Sequence, residues 1–375
     1  MYNVGASSAR PRATNSHPDY QGGKAMKKLT IILFSIFLLC GCGKDCTDDA
    51  VCPLPIEQPE ATATVLPTPS PSPKPTPEPT PTPIPLLPAE LIDYSIPEAV
   101  FGEAQHQGWV TEMEYITRDY VSGSEEEIVK SMDVYRPYNY DPEGQYDVLF
   151  LMHIAGGDEG FWFGSDFYYH SPEGNHRGIY LFDMLDKMIE QGRCAPLIVI
   201  SLDGFLYDEN RWTHSTGHSY EQFHHEFAND IMPYVVENLA TYAEGSSREE
   251  MSKAREHFGF TGASYGSYLN NNCILKHCFD LVANFGFSGG GAMNYDVLKE
   301  NWQRMGVEDM PVESLYIAVG LLDNRGPPEQ AYLTFKADTE RFNEDNLHLS
   351  LFTDTGHDQR EWINSVYNSL QLFYR

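Results

Sequence analysis

Residues 257–267 read His-Phe-Gly-Phe-Thr-Gly-Ala-Ser-Tyr-Gly-Ser. A short apolar run enters Gly262-Ala263-Ser264-Tyr265-Gly266, and Tyr268 and Leu269 open a helical stretch. Strand, sharp turn and helix are the context in which a G-x-S-x-G pattern has mechanical meaning. The serine sits at the apex of a strained turn, where the backbone passes close to its neighbours. A side chain two positions before or after it would collide, so Gly262 and Gly266 are small. The turn lifts the Ser264 hydroxyl out of the sheet and sets it at a helix N-terminus, whose dipole favours a developing negative charge.

Such a turn needs a sheet to stand on, and the chain supplies one. Residues 109–117 and 128–136 alternate in the manner of half-buried strands, separated by Ser122-Gly123-Ser124. Residues 148–152 and 197–202 are unbroken apolar runs, as suits strands covered on both faces of a parallel sheet. Residues 284–287, 315–319 and 347–352 supply further strands. Between them, 178–191 carries Leu181, Leu185, Met188 and Ile189 at helical spacing, and 223–239 carries Phe227, Ile231 and Val235. Residues 362–373 read as a closing helix. The alternation predicts an α/β fold, a mostly parallel sheet with helices on both faces, spanning 91–375. At about 285 residues it has ample length for one core.

The N-terminal part is written differently. Residues 1–25 are polar and patternless. Met26-Lys27-Lys28 is a positive start and 29–39 an apolar run, too short to span a bilayer comfortably, so 26–42 reads as a signal peptide. We expect Met26 to be the true start; Gln21-Gly22-Gly23-Lys24 can be encoded by a purine-rich ribosome-binding site. The run ends in Leu39-Cys40-Gly41-Cys42, which resembles a bacterial lipobox and implies lipidation of Cys42 and anchoring to a membrane at the cell surface. Within 43–90, Cys46 and Cys52 can pair outside the cell. Residues 53–88 alternate Pro with Thr, Ser and Glu, a composition that cannot pack a core and favours an extended spacer. The net charge of −29 argues against a nucleic-acid partner.

A serine hydroxyl is a poor nucleophile until a base takes its proton, and the base needs an orienting carboxylate. In a strand–turn–helix site of this type the partners follow the serine in the order acid, then histidine. Of the histidines after Ser264, His277 falls on the helix behind it, where we expect a surface residue, and His348 falls within a strand. His357, in Thr355-Gly356-His357-Asp358, follows a strand at the edge where catalytic groups collect. Asp323, after the 315–319 strand, is the matching acid; Asp338 lies in a helical stretch and Asp354 is too close to His357. The oxyanion needs backbone N–H donors. Tyr265 supplies one, and the loop Leu151-Met152-His153-Ile154-Ala155-Gly156-Gly157 supplies the other, at Ala155 or, as second choice, Ile154.

At this point the domain resembles the esterase D-type α/β-hydrolases of carbohydrate esterase family 1, which include feruloyl and acetylxylan esterases. The likeness runs over roughly 230 residues in separated stretches: Tyr146 to His153 with Gly156-Gly157-Asp158-Glu159; Phe223-His224-His225-Glu226 with Asp230 to Tyr234; Gly259 to Ser264; Phe285 to Gly289; and Gly356-His357-Asp358 with Trp362. It implies a serine esterase with Ser264, Asp323 and His357 as triad. It also implies no cofactor, an acylated plant polysaccharide or oligosaccharide as substrate, and, with the lipobox, an extracellular lipid-anchored enzyme. Three departures stand out: Ile154 where the family has glycine, Ser267 where it has a second glycine, and the apolar pair Leu321-Leu322. A glycan-binding surface lipoprotein and an acyltransferase on the same fold are the competing readings.

Other clusters carry less. His214, His218, His224 and His225 are spaced irregularly for a metal, and no metal site is expected. Phe161-Trp162-Phe163 and Trp212 fall in loops near the predicted rim, where Trp162 and Trp212 are candidates for stacking on a sugar or a phenolic acyl group, and loop core is an equal reading of the same aromatics. Cys194, Cys273 and Cys278 are expected to be buried free thiols.

Overall fold

Eight strands form one sheet. The computed structural model describes Ile96, Val100 and residues 104–123, 126–164, 169–171, 174–176, 181–205, 218–290, 294–324, 328–352 and 355–374. The apolar run at 29–39, Cys42, the proline-rich stretch, Cys46, Cys52 and Trp212 lie outside these residues. In chain order the strands are β1 (Trp109–Arg118), β2 (Glu127–Arg136), β3 (Asp147–Met152), β4 (Tyr169–Ser171), β5 (Gly174–His176), β6 (Leu197–Leu202), β7 (Phe258–Ala263), β8 (Asn284–Ser288), β9 (Ser314–Gly320) and β10 (Leu347–Phe352). The main sheet runs β1-β2-β6-β3-β7-β8-β9-β10, while β4 and β5 pair separately as a small hairpin. β1 and β2 are antiparallel, β2 meets β6 antiparallel, and from β6 to β10 every pairing is parallel.

The helices are α1 (Leu181–Glu190), α2 (His218–Glu226), α3 (Met232–Asn238), α4 (Arg248–Lys253), α5 (Tyr265–Leu269), α6 (Tyr295–Met305), α7 (Pro328–Lys336) and α8 (Gln359–Leu372). Wider π-helical turns at Phe227–Ile231 and Asn270–Leu275 join α2 to α3 and extend α5. The strand alternation sorts the core into two layers. Val148, Phe150 and Met152 of β3 face one way, with Phe223, Phe227, Leu269 and Trp302 from α2, α5, α6 and their π-helical turns. Leu149 and Leu151 face the other way, against Leu181, Leu185 and Met188 of α1 and Trp362, Val366 and Leu370 of α8. The sheet is thus covered on both faces, which is why β3, β6, β7 and β8 show no polar alternation. No helix among the described residues is long and apolar enough to cross a membrane.

Three sequence expectations change. His277 is half-buried rather than on the surface, its ring stacked 4.1 Å from that of His224. The Phe161-Trp162-Phe163 run is core: Trp162 is fully buried, edge-on to Phe161, so it offers no face on which a sugar or phenol can stack. Cys273 and Cys278 are buried free thiols, and Cys194 is free but only partly buried.

Candidate active site

β7 ends at Ala263, and the next residue takes a conformation rare for a side-chain-bearing residue: Ser264 has φ 53° and ψ −111°. The surroundings hold this strain in place. The Ser264 N–H donates to the Ser288 carbonyl at 2.7 Å, and its own carbonyl accepts from Tyr268 N–H at 3.2 Å. A Cβ on Gly262 would lie 2.2 Å from the Gly266 carbonyl oxygen, and one on Gly266 would lie 2.5 Å from the Met152 carbonyl oxygen. Both glycines are therefore steric requirements. The same close approach packs the start of α5 directly on the end of β3.

Ser267, the departure from a second glycine, proves to be part of the scaffold. It is fully buried, and its hydroxyl lies 2.7 Å from the Gly262 carbonyl and 2.8 Å from the Ser288 carbonyl while accepting the Ser288 N–H at 2.7 Å. It therefore pins the nucleophile turn to β8. Asn270 adds two amide bonds, to the carbonyls of Phe260 and Gly286.

Asp323 and His357 arrive from the next strands. The turn after β9 is closed by Asp323 N–H to Gly320 O at 2.9 Å, and is tied to the end of β10 by Leu321 N–H to Phe352 O and to the segment after it by Leu322 N–H to Thr355 O. Neighbouring strands are ~4.8 Å apart, so a serine on β7 and an acid beyond β9 are separated by roughly 10 Å, a gap that one imidazole with a bond at each end can bridge. His357 does so. Its Nε2 is 2.7 Å from Ser264 Oγ and its Nδ1 is 2.8 Å from Asp323 Oδ2. The arrangement assigns the tautomer: Nδ1–H donates to the carboxylate, and the serine O–H donates to Nε2. The Asp323 side chain is 1% exposed and that of His357 14% exposed, so the pair sits in a weakly screened place. Behind the ring, Trp362 stands edge-on at 5.5 Å and is backed by Phe161 at 6.2 Å.

The two oxyanion candidates follow β7 and β3 at the same rim. Tyr265 follows the nucleophile at the first position of α5. Ala155 is in the turn after β3, closed by Gly157 N–H to Ile154 O at 3.1 Å. His153 braces that turn. It is buried, its Nε2 accepts the Gly204 N–H at 3.1 Å, and its Nδ1 lies 2.6 Å from the Ile154 carbonyl. The ring is thus a strut between the β3 and β6 loops. Ile154 is buried within the α1/α8 layer, so the departure from glycine fills core rather than the mouth of the site.

Sequence reasoning missed Glu361, which is fully buried with a carboxyl oxygen close to both Asp323 and His357. An acid on a helix, with nothing but its position to mark it, reads as a solvated face. Of the histidines weighed as metal ligands, His224 and His225 have ring centres 4.0 Å apart, and His214 lies outside the described residues. Together the strained serine, the bridging imidazole and the buried carboxylate can activate a hydroxyl for attack on a carbonyl carbon.

No family model matches the chain. A curated relative, endo-1,4-beta-xylanase Y of Acetivibrio thermocellus, is 32% identical over 157 residues, or 42% of this chain, and the match covers 12% of that relative's length. Among solved structures, a serine-to-alanine mutant of the feruloyl esterase module from Clostridium thermocellum, complexed with sinapinate, matches with a TM-score of 0.60 at 22% identity, over 77% of this chain and 96% of that one. A CE1 ferulic acid esterase from the anaerobic fungus Anaeromyces mucronatus, solved with ferulic acid, matches with a TM-score of 0.56 at 16% identity, over 75% of this chain and 97% of that one. The chain has the α/β-hydrolase fold of these esterase structures, its eight-stranded mostly parallel sheet carrying the serine, acid and histidine at the ends of β7, β9 and β10.

Proposed function

We propose that the chain is a serine carboxylic-ester hydrolase that removes feruloyl or acetyl groups from plant cell-wall polysaccharide or its oligomers, acting outside the cell from a lipid anchor at Cys42. The observation that carries the hydrolase reading is the unbroken line from Ser264 Oγ through His357 to Asp323, 2.7 Å and 2.8 Å at its two bonds. The feruloyl reading draws support from the neighbours solved with sinapinate and ferulic acid, and the cell-wall reading from the likeness to a xylanase. The surface location rests on the lipobox and the proline-rich spacer.

In this mechanism Ser264 Oγ attacks the ester carbonyl carbon as His357 Nε2 takes its proton, giving a tetrahedral oxyanion and an imidazolium. Asp323 holds the ring in the right tautomer and stabilises its charge. The N–H groups of Tyr265 and Ala155 receive the oxyanion. His357 then returns the proton to the leaving sugar oxygen as the C–O bond breaks, which leaves an acyl group on Ser264. Water enters with His357 again as base. The second tetrahedral species collapses to free acid, and the serine recovers its proton.

Replacing Ser264 with Ala removes the nucleophile while leaving the fold. Turnover of a chromogenic feruloyl or acetyl ester falls by a factor on the order of 10⁴ to 10⁶ with an unchanged melting temperature. Retained turnover, or a labelled fluorophosphonate that modifies another residue, contradicts the assignment.

A further inference from the structure

The C-terminal helix brings a second carboxyl to the triad. Glu361, in the first turn of α8, is fully buried. A carboxyl oxygen of Glu361, one of Asp323 and a ring nitrogen of His357 all lie within 4.8 Å of one another. Glu361 Oε1 accepts from the Ser288 hydroxyl at the end of β8, at a long 3.4 Å. The Gly320 N–H, at the end of β9, favours its charged form in the same sense. Oε2 has no hydrogen-bond partner among the described residues. The site has room for this carboxyl because residue 289 is glycine: a Cβ there would come within 3.0 Å of Glu361 Oε1 and 3.1 Å of His357 Nδ1, and φ is +62°. One carboxyl is thus met by the ends of two strands and lies in the first turn of the helix that begins just after the catalytic histidine.

We propose that Glu361 is a positioning residue for the triad: its buried carboxyl joins the ends of β8 and β9 to the helix that follows His357 and holds the imidazole in line between Ser264 and Asp323. The kinetic consequence rests on the ester-hydrolase reading above, but the geometric one does not. The protonation state fits the role. Burial, and then the charge of Asp323, push the Glu361 carboxyl up to about 9, against the Gly320 N–H and the Ser288 hydroxyl, with Asp358 adding a smaller push upward. Two carboxyls in one dry place do not both ionise. At neutral pH Glu361 keeps its proton, and Asp323 is the single carboxylate orienting the ring. As Glu361 ionises, the two like charges repel, and Asp323 is drawn off Nδ1.

The test compares the full chain with Glu361→Gln, a neutral isostere that keeps an acceptor oxygen, and Glu361→Leu, which keeps bulk alone. The His357 Nδ1 proton resonance in ¹⁵N-labelled protein reads ring alignment without any substrate. At pH 7 the Gln variant keeps that resonance, while the Leu variant shifts or loses it. With a chromogenic ester, kcat of the Leu variant falls about tenfold or more with KM within about twofold, and the Gln variant stays within about threefold of wild type. Raising the pH through about 9 weakens the wild-type resonance and lowers wild-type kcat, whereas the Gln variant holds both. Should the Leu variant fail to fold, the alkaline comparison of wild type with Gln decides alone. A folded Leu variant that keeps the pH 7 resonance and the wild-type kcat overturns the proposal, as do resonances and pH profiles of wild type and Gln that stay superimposed through about pH 9. A wild type that hydrolyses no ester of the panel instead overturns the hydrolase reading, and the resonances still settle the role of Glu361.

Discussion

A methyl group added at Gly266 would lie 2.5 Å from the Met152 carbonyl oxygen and 2.8 Å from that of His153. Both are backbone atoms at the end of a central strand, so neither can step aside as a flexible side chain would. Gly266→Ala is therefore an overpacking change with no soft neighbour. It costs about 3 kcal/mol or somewhat less and lowers the melting temperature by roughly 6 to 10 °C. Because the strain relaxes by pushing α5 off β3, it also parts Tyr265 from the Ala155 loop, and kcat falls in the protein that remains folded. Thermal unfolding and initial rates on the same samples check both halves; a variant as stable as wild type contradicts the close approach. At this scale the sequence was most legible where chemistry restricts residue choice. Glycines flanking a serine, an aspartate after one strand and a histidine after the next have few other reasons to occur in that order. Trp162 and Glu361 were illegible for the same reason. A loop aromatic and a helix acid are each common in both buried and exposed places, and what separates the two cases is the neighbour across space, Phe161 in one and Asp323 in the other.

Elements were legible where burial leaves a one-dimensional trace. β3 and β6 are covered on both faces and appear as unbroken apolar runs, and their predicted limits lie within one residue of the observed ones. The π-helical turns at Phe227–Ile231 and Asn270–Leu275 left no such trace, because one extra residue per turn barely disturbs a helical apolar stripe. α6 escaped notice because Asn301 interrupts its buried face of Tyr295, Leu298 and Trp302. The packing of α2 on the Asn270–Leu275 turn and the residues after it carries a consequence of its own. Burial, and then the charges of His277 and His225, hold His224 down to about 3. Burial, and then Lys276 and His225, hold His277 down to about 4. Both rings stay neutral in the fold at pH values where the unfolded chain protonates them, near the ordinary histidine value of about 6.5. Between those values the unfolded state binds more protons, so their contribution is fully present above about pH 6.5 and is lost as the pH falls towards 4. His277→Gln removes one such group and the stack on His224. Relative to wild type, its melting temperature therefore improves as the pH is lowered from 7.5 to 5, by an amount on the order of 1 kcal/mol or about 2 to 4 °C. Melting curves at the two pH values give the difference directly, and parallel losses in both proteins refute the assignment.

Across the whole molecule, the described core closes on itself. One buried layer runs from Tyr115 to Leu347 and the other from Val100 to Phe373 with Ile96 packed against it, so among the described residues both faces of the sheet are covered from residue 96 onward. The alternation of strands and helices predicted this plan because each apolar strand face demands a covering helix. The order β1-β2-β6-β3 was not readable, since nothing local tells an antiparallel edge pair which inner strand to join. The proline-rich stretch before the domain has the opposite character. Its Pro, Thr and Glu cannot bury enough apolar surface to offset chain entropy, so on the proposed reading as a spacer it adds no stability to the domain. A protein comprising residues 91–375 should therefore melt within about 2 °C of the full chain and hydrolyse a small soluble ester at the same rate. On the function proposed above, Cys42 and the stretch after it set where the protein resides. In a bacterial host that lipidates such leaders, the full chain partitions into the detergent phase with the membranes, while Cys42→Ala moves it to the medium with kcat/KM on the soluble ester unchanged. One acyl chain holds a protein only marginally, so a firm anchor needs more than one at the N-terminal cysteine. Should the Cys42→Ala chain stay with the membranes, the hold belongs to the uncleaved apolar run at 29–39, and the lipobox reading gives way to that of a simple N-terminal anchor.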